Sequence, residues 1–161
     1  MTATVSIIIG SDSDMNLAKK CSETLDSLSI DNSINVYSAH RSPELVAEHL
    51  KACEEGGTKV FIAMAGLAAH LAGAVASKTV KPVIGVPGDG GPLQGFDSLL
   101  STVQMPKGVP VATVAIGSAG AVNSAILAAQ MISLSSPEVE QSLKKQREDS
   151  VKSTEQINKD L

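Results

Sequence analysis

Five short apolar runs, each followed by a helical pattern, constrain the fold more than any other feature of this sequence. The runs are rich in β-branched residues and lack strict alternation, which is typical of strands buried on both faces. Parallel neighbours in a sheet need crossover connections, and these are right-handed. The predicted strands cover residues 5–9, 34–38, 59–64, 82–86 and 109–116.

Helices are predicted between and after these strands. Apolar residues recur at helical spacing over residues 15–28, 43–55, 96–103 and 121–134, and a further helix, entered through residues 65–71, ends near residue 78. Strict strand–helix alternation places helices on both faces of a parallel sheet. The predicted fold class is α/β: a flavodoxin-like three-layer sandwich with a five-stranded parallel sheet and an extra C-terminal helix.

The length of 161 residues fits one domain with a real core. Residues 1–135 are predicted to form a single α/β domain, and residues 136–161 a C-terminal helix. The helix has a sparse apolar stripe, formed by Val139, Leu143, Val151, Ile157 and Leu161. It is either a solvated helix that frays at its end or one that docks on a neighbouring subunit, and the second interpretation is favoured.

Composition excludes several classes of function. The net charge is −4, no basic run exceeds a lysine pair, and aromatic residues are scarce, so nucleic-acid binding is not expected. No apolar stretch reaches membrane-spanning length and no signal peptide precedes the first strand, so we expect a cytoplasmic protein. Cys21 and Cys53 lack metal-site spacing and are predicted to be free structural thiols.

One strand end combines three functional groups. The segment Ser38-Ala39-His40-Arg41-Ser42-Pro43 follows a predicted strand and opens a helix, and open α/β sheets bind ligands at such junctions. Arg41 is one of two arginines in the chain, and a guanidinium grips phosphate bidentately. A single phosphate monoester is therefore the favoured ligand, although an ion pair at the surface would also account for Arg41.

The end of the first strand adds Ser11, Ser13 and Asp14. Hydroxyls beside a helix N-terminus suit an anion, and a carboxylate there can accept hydrogen bonds from sugar hydroxyls. Helix capping would explain the same residues, and for Asp14 the two interpretations weigh equally.

The three histidines differ in position. His40 and His70 each follow a strand end, where His40 is predicted to be a general acid and base and His70 an orienting group. His49 lies inside a helical pattern beside Glu48 and Lys51, and is expected to be a solvated helix residue.

Other chemical templates fail. The sequence contains no GxxxxGK[ST] loop, and the stretch from Gly88 to Leu93 breaks GxGxxG at its last position, so neither ATP nor NAD use has a motif. A nucleophile elbow is missing, and no His, Cys and Asp residues have metal-ligand spacing. We expect neither a cofactor nor a metal.

Four collinear motifs resemble one enzyme family over nearly the whole chain. They are residues 10–14, 38–43 and 66–71 together with the long run 97–111. They are similar to the catalytic subunit of phosphoribosylaminoimidazole carboxylase, and more narrowly to its bacterial and archaeal branch, the N5-carboxyaminoimidazole ribonucleotide mutases of purine biosynthesis.

The resemblance implies a cofactor-free reaction in which a carboxylate moves from the exocyclic nitrogen to a ring carbon of an aminoimidazole ribonucleotide, with His40 moving the proton. It also implies a homo-octamer and functional coupling to an ATP-dependent carboxyaminoimidazole synthetase. Phosphate-binding positions correspond to Ser11, Ser13, Ser38 and Arg41, the ribose contact to Asp14, and the loop lining the base and carboxylate pocket to Ala65, Gly66, Ala69, His70 and Leu71.

Two alternatives accompany this interpretation. One is a carboxylase that uses free CO2 directly, although that branch typically has lysine after the histidine, where this chain has Arg41. The other is a non-catalytic phosphate-ligand sensor or a phosphoacceptor receiver. A receiver needs a carboxylate at the end of its third strand, where this chain has Met64-Ala65-Gly66. Ala72, Ser42 and the loop 88–95 depart from the family pattern.

Overall fold

The computed structural model describes residues 3–161, which form one parallel sheet with helices on both faces. The strands are β1 (Val5–Ile9), β2 (Asn32–Val36), β3 (Val60–Ala65), β4 (Val83–Pro87) and β5 (Ala112–Thr113). Their spatial order is β2-β1-β3-β4-β5, and every neighbouring pair is parallel. This is the strand order of the flavodoxin-like fold, so the predicted fold class is confirmed.

Six helices accompany the sheet over the described residues. They are α1 (Met15–Ser27), α2 (Pro43–Glu55), α3 (Leu71–Ala76), α4 (Phe96–Val103), α5 (Gly117–Ser133) and α6 (Pro137–Lys159), and a 3-10 turn at Asp12–Asp14 precedes α1. None of these helices is long and apolar enough to cross a membrane.

Strand β1 lies at the centre of the sheet and is buried on both faces. Ile7 and Ile9 pack into a core with residues of α1 and α5, whereas Ile8 packs on the other face with residues of α2 and α3. All five β1 residues are buried, as the lack of alternation predicted. Cys21 and Cys53 are buried free thiols, and burial raises the pKa of Cys21 to about 12.

Boundaries differ from the predictions where turns and edges intervene. Strand β2 ends at Val36, two residues before the predicted end, because Ser38 already begins the turn that leads to α2, with Ser42 N donating to Ser38 O at 2.9 Å. The last strand comprises only Ala112–Thr113 instead of residues 109–116. It is an edge strand, and Pro110 has no N–H to give to the ladder.

The C-terminal helix α6 packs only with its first turns. Val139 is buried and Leu143 lies against the core, but Val151, Ile157 and Leu161 are exposed. The apolar stripe therefore continues beyond the surface that this chain covers. Docking of the helix on a neighbouring subunit stays a prediction.

Candidate active site

The carboxyl ends of three adjacent strands surround one cavity of about 430 Å³, here called the catalytic cavity. Because β2 and β3 flank β1, the loops that follow them lie side by side. The lining residues come from all three loops: Gly10, Ser11, Ser13, Asp14, Ser38, Ala39, His40, Arg41, Ala65, Gly66, Leu67, Ala68 and Leu71. The structure thus brings together most of the residues that the sequence predicted.

Arg41 is fixed by neutral oxygen acceptors. Its Nη2 donates to Gly10 O at 3.1 Å and its Nε donates to Ser38 Oγ at 3.3 Å, while its backbone N–H donates to the same hydroxyl at 3.2 Å. Within residues 3–161 no carboxylate forms an ion pair with Arg41. The surface ion pair considered above is therefore not formed, and the guanidinium charge is available to an anion.

Ser11 and Ser13 differ in how well they fit the two roles considered above, helix capping and anion binding. Ser11 Oγ caps the 3-10 turn, accepting from Ser13 N at 3.3 Å, and also accepts from Ser13 Oγ at 3.1 Å. Ser13 is exposed at the cavity. Capping thus accounts for one hydrogen bond of the Ser11 hydroxyl, while the Ser13 hydroxyl can reorient toward a ligand.

Asp14 lies in the cavity and does not cap α1. It occupies the N-cap position, but its side chain makes no capping hydrogen bond. Burial raises the pKa of its carboxyl above the ordinary value. A desolvated carboxylate that makes no capping bond favours the sugar-binding interpretation over the capping one.

His40 and His70 are directly hydrogen-bonded. His40 Nε2 lies 2.8 Å from His70 Nδ1, and the two rings meet edge to face with centroids 5.0 Å apart. One nitrogen must donate and the other accept, so the pair shares a single proton at this contact. His70 occupies the N-cap position of α3, and its ring reaches His40 from the loop that follows β3.

The loop after β3 forms one wall of the cavity, mostly with small side chains. The predicted residues Ala65, Gly66 and Leu71 line the cavity, and so do Leu67 and Ala68. Ala69 is only 2% exposed and lies outside the lining, with its N–H donated to Leu67 O. Gly10, Ala39 and Leu67 were not predicted, although each adjoins a predicted residue.

A second cavity, of about 570 Å³, adjoins the first. The two share Ser13, Asp14, Gly66 and Leu67, and the second is completed by α1, by the start of α5 and by the loop 88–95. Polar groups line it, including Lys20, whose Nζ donates to Ser118 Oγ at 2.8 Å, and Asp89. The loop 88–95, which departs from the family pattern, thus forms part of the surroundings of the site.

The prediction for His49 was wrong. Its ring is half-buried, with Nε2 2.9 Å from Ser6 Oγ in β1 and 3.4 Å from Cys53 Sγ, and it stacks at 4.7 Å on the Tyr37 ring. Ser6 Oγ also accepts from Asn35 Nδ2 at 3.3 Å, so its own proton is free to go to His49. The helical pattern misled because this face of α2 meets a hydroxyl in an otherwise apolar strand.

A family model described as AIR carboxylase matches residues 4–153, and the chain belongs to the AIR carboxylase family. Its curated relatives include the N5-carboxyaminoimidazole ribonucleotide mutase of Pyrococcus abyssi, 50% identical over 145 residues that cover 90% of this chain and 82% of the relative. The mutase of Bacillus subtilis is 49% identical, covering 92% and 91%. Among solved structures, Treponema denticola PurE superposes with a TM-score of 0.88 at 30% identity, covering 98% of this chain and 97% of that chain. The predicted family is confirmed.

The environment of His49 predicts acid sensitivity. Burial lowers the pKa of His49, and the groups that bond to or stack on its ring are the hydroxyl of Ser6, the thiol of Cys53 and the phenol of Tyr37, with no carboxylate among them. The unfolded chain therefore binds this proton more tightly than the folded chain. Stability is retained above the ordinary histidine pKa of about 6.5 and is lost as the pH falls through and below it.

We expect the melting temperature of the His49→Phe variant to fall less than that of the wild type between about pH 7.5 and pH 5.5. Phenylalanine keeps a ring against Tyr37 but cannot be protonated. Thermal melts across this range measure the effect, with His40→Asn as the comparison because His40 is exposed. An unchanged pH dependence in His49→Phe would show that this imidazole is not the acid-sensitive group.

Proposed function

We propose that this chain is an N5-carboxyaminoimidazole ribonucleotide mutase, which moves a carboxylate from the exocyclic nitrogen to a ring carbon of aminoimidazole ribonucleotide. The observation that carries the proposal is the position of two unlike groups on one cavity. Arg41 presents a positive charge without a carboxylate partner among the described residues, and His40 presents an imidazole bonded to His70. A cationic anchor beside a proton carrier suits a phosphorylated substrate that undergoes proton transfer.

The proposed residue roles orient the ribonucleotide in the cavity. The phosphate binds Arg41 and the hydroxyls of Ser38, Ser11 and Ser13, and the ribose hydroxyls bind Asp14. The base and its carboxylate then lie against the loop after β3, where Ala65, Gly66 and Leu71 line the cavity and Ala69 and His70 support that loop. Small side chains at the base leave room for the carboxylate to move.

The residues present can carry the reaction without a cofactor. Breaking the N–CO2 bond of the carbamate releases CO2 and leaves the electron pair on nitrogen, which His40 protonates. The enamine-like ring carbon then attacks the retained CO2, and the proton on that carbon returns to His40 as the ring becomes aromatic again. One imidazole serves both transfers and ends in its starting state. CO2 held beside the ring replaces a bimolecular encounter.

His70 has a positioning role in this scheme. Its Nδ1 holds His40 Nε2 at 2.8 Å, so a change of protonation on one ring changes which nitrogen donates. The contact thus joins the proposed proton carrier to a second imidazole on the loop after β3.

A substrate comparison tests the function. The purified protein receives either N5-carboxyaminoimidazole ribonucleotide or aminoimidazole ribonucleotide with low bicarbonate, and formation of the C-carboxylated product is measured. We expect efficient turnover of the first substrate only. Efficient turnover of the second at low bicarbonate would instead favour the CO2-using carboxylase, and binding without turnover of either would favour a phosphate-ligand sensor.

Two variants separate the proton carrier from the phosphate anchor. His40→Asn should lower kcat by at least about 100-fold while the ribonucleotide still binds, because the proton carrier is lost and the anchor remains. Arg41→Ala should mainly raise the Kd of the ribonucleotide. Steady-state kinetics and calorimetric titration measure the two effects. Near-normal turnover of His40→Asn would contradict the mechanism, and unchanged affinity of Arg41→Ala would remove it from the phosphate site.

The assembly proposed with this function is a homo-octamer. Helix α4 buries hydroxyl residues, Ser98 and Thr102, and leaves Phe96, Leu100 and Val103 exposed along one face. Residues spaced by three and four positions form a stripe on a helix, and Phe96 is 68% exposed. An apolar stripe of this kind marks an interaction surface. A second copy of the chain is the proposed partner, and the exposed apolar residues of α6 are proposed to form a separate contact.

Sedimentation measures the assembly. The wild type should sediment as an octamer, and Leu100→Glu should shift it to smaller species because a charge would be buried at the contact. Leu134→Glu is the matched control, since Leu134 is exposed but lies outside the α4 face. A monomeric wild type at micromolar concentration, or an unchanged Leu100→Glu variant, would contradict this contact.

The proposed function also bears on a partner enzyme and on the cellular location. A carbamate on nitrogen is labile, so coupling to an ATP-dependent carboxyaminoimidazole synthetase that supplies it is chemically reasonable. We place the enzyme in the cytoplasm, where Cys21 and Cys53 stay reduced.

A further inference from the structure

Leu67 combines two unfavourable features at the edge of the catalytic cavity. Its φ is 53°, in the left-handed region where a branched side chain is strained, and its apolar side chain is 54% exposed. It is flanked by Gly66 and Ala68 in the loop after β3, and a glycine at this position would avoid both costs. Strain of this kind at a ligand site points to a role in function.

The Leu67 side chain reaches across to the loop 88–95. A Cβ placed on Gly91 would lie 2.6 Å from Leu67 Cδ2, so the glycine leaves the space that this side chain occupies. The same two loops approach again at Gly88, whose N–H donates to Ala65 O at 2.9 Å. Leu67 therefore connects two loops that are distant in sequence.

Leu67 also lies on the boundary between the two cavities, because it lines both. The catalytic cavity contains His40, whereas the second cavity contains the charged groups of Lys20 and Asp89. Among the residues that line both cavities, which are Ser13, Asp14, Gly66 and Leu67, Leu67 alone has a large apolar side chain.

We propose that Leu67 is a retention residue: its side chain, packed over Gly91, keeps the CO2 released from the carbamate inside the catalytic cavity until the ring carbon attacks it. The proposal depends on the mutase function proposed above. It adds that the efficiency of transfer is set by this contact as well as by the proton carrier.

The CO2 released from the carbamate has two possible fates. When the N–CO2 bond breaks and nitrogen gains a proton, the CO2 either forms the C–C bond, with loss of the ring proton, or leaves. Loss yields aminoimidazole ribonucleotide and free CO2, so atoms balance on both routes. A leak through the second cavity therefore changes the ratio of the two products, and that ratio can be measured without reference to the rate.

The test uses N5-carboxyaminoimidazole ribonucleotide labelled with ¹³C in the carboxylate, in a buffer with unlabelled bicarbonate and added carbonic anhydrase. Mass spectrometry measures the label retained in the C-carboxylated product, and an amine assay measures aminoimidazole ribonucleotide. We expect Leu67→Ala and Leu67→Gly to lose label and release the amine several-fold more than the wild type. Glycine relieves the left-handed strain, so Leu67→Gly should stay folded.

The matched control is Leu45→Ala, because Leu45 is a similarly exposed leucine, at 50%, on α2 and outside both cavities. It should retain label as the wild type does. Label retention in both Leu67 variants equal to the wild type would overturn the retention role. A wild type that forms no C-carboxylated product would instead overturn the mutase function, so the two failures are distinguishable.

Discussion

The pairing of β1 with β2 on one side and β3 on the other is the constraint on which the site depends. Ile9 is in register with Val36 and with Met64, and the ladder continues past the strand ends, where Tyr37 N donates to Ile9 O and Gly10 N donates to Met64 O. The three loops therefore begin at the same level. A change of one residue in the register of β1 with β2 would move Ser11 and Ser13 relative to Arg41 and His40.

Much of this arrangement follows from local sequence. The buried apolar run of β1 and the Pro43 start of α2 were predictable because period and capping chemistry act over a few residues. Most of the predicted site residues lie together because every parallel strand presents its carboxyl end at the same edge of the sheet. The position of Arg41, His40 and Asp14 on one cavity could therefore be predicted without knowing their side-chain contacts.

What could not be predicted depends on contacts between distant segments. The position of His49 requires knowing that Ser6 turns its hydroxyl toward α2, and 43 residues separate the two. The length of β5 depends on its position at the sheet edge, which local propensity does not encode. The contact of Leu67 with Gly91 joins two loops whose spacing only the folded sheet determines.

The hydrogen bonds of Arg41 have a further consequence for recognition. A free arginine side chain loses considerable rotamer freedom when it binds a ligand, and this loss opposes affinity. Here Ser38 Oγ and Gly10 O hold the guanidinium before any ligand arrives. Much of the entropic cost of ordering this side chain is therefore met on folding, so binding of the proposed phosphate would lose less conformational entropy.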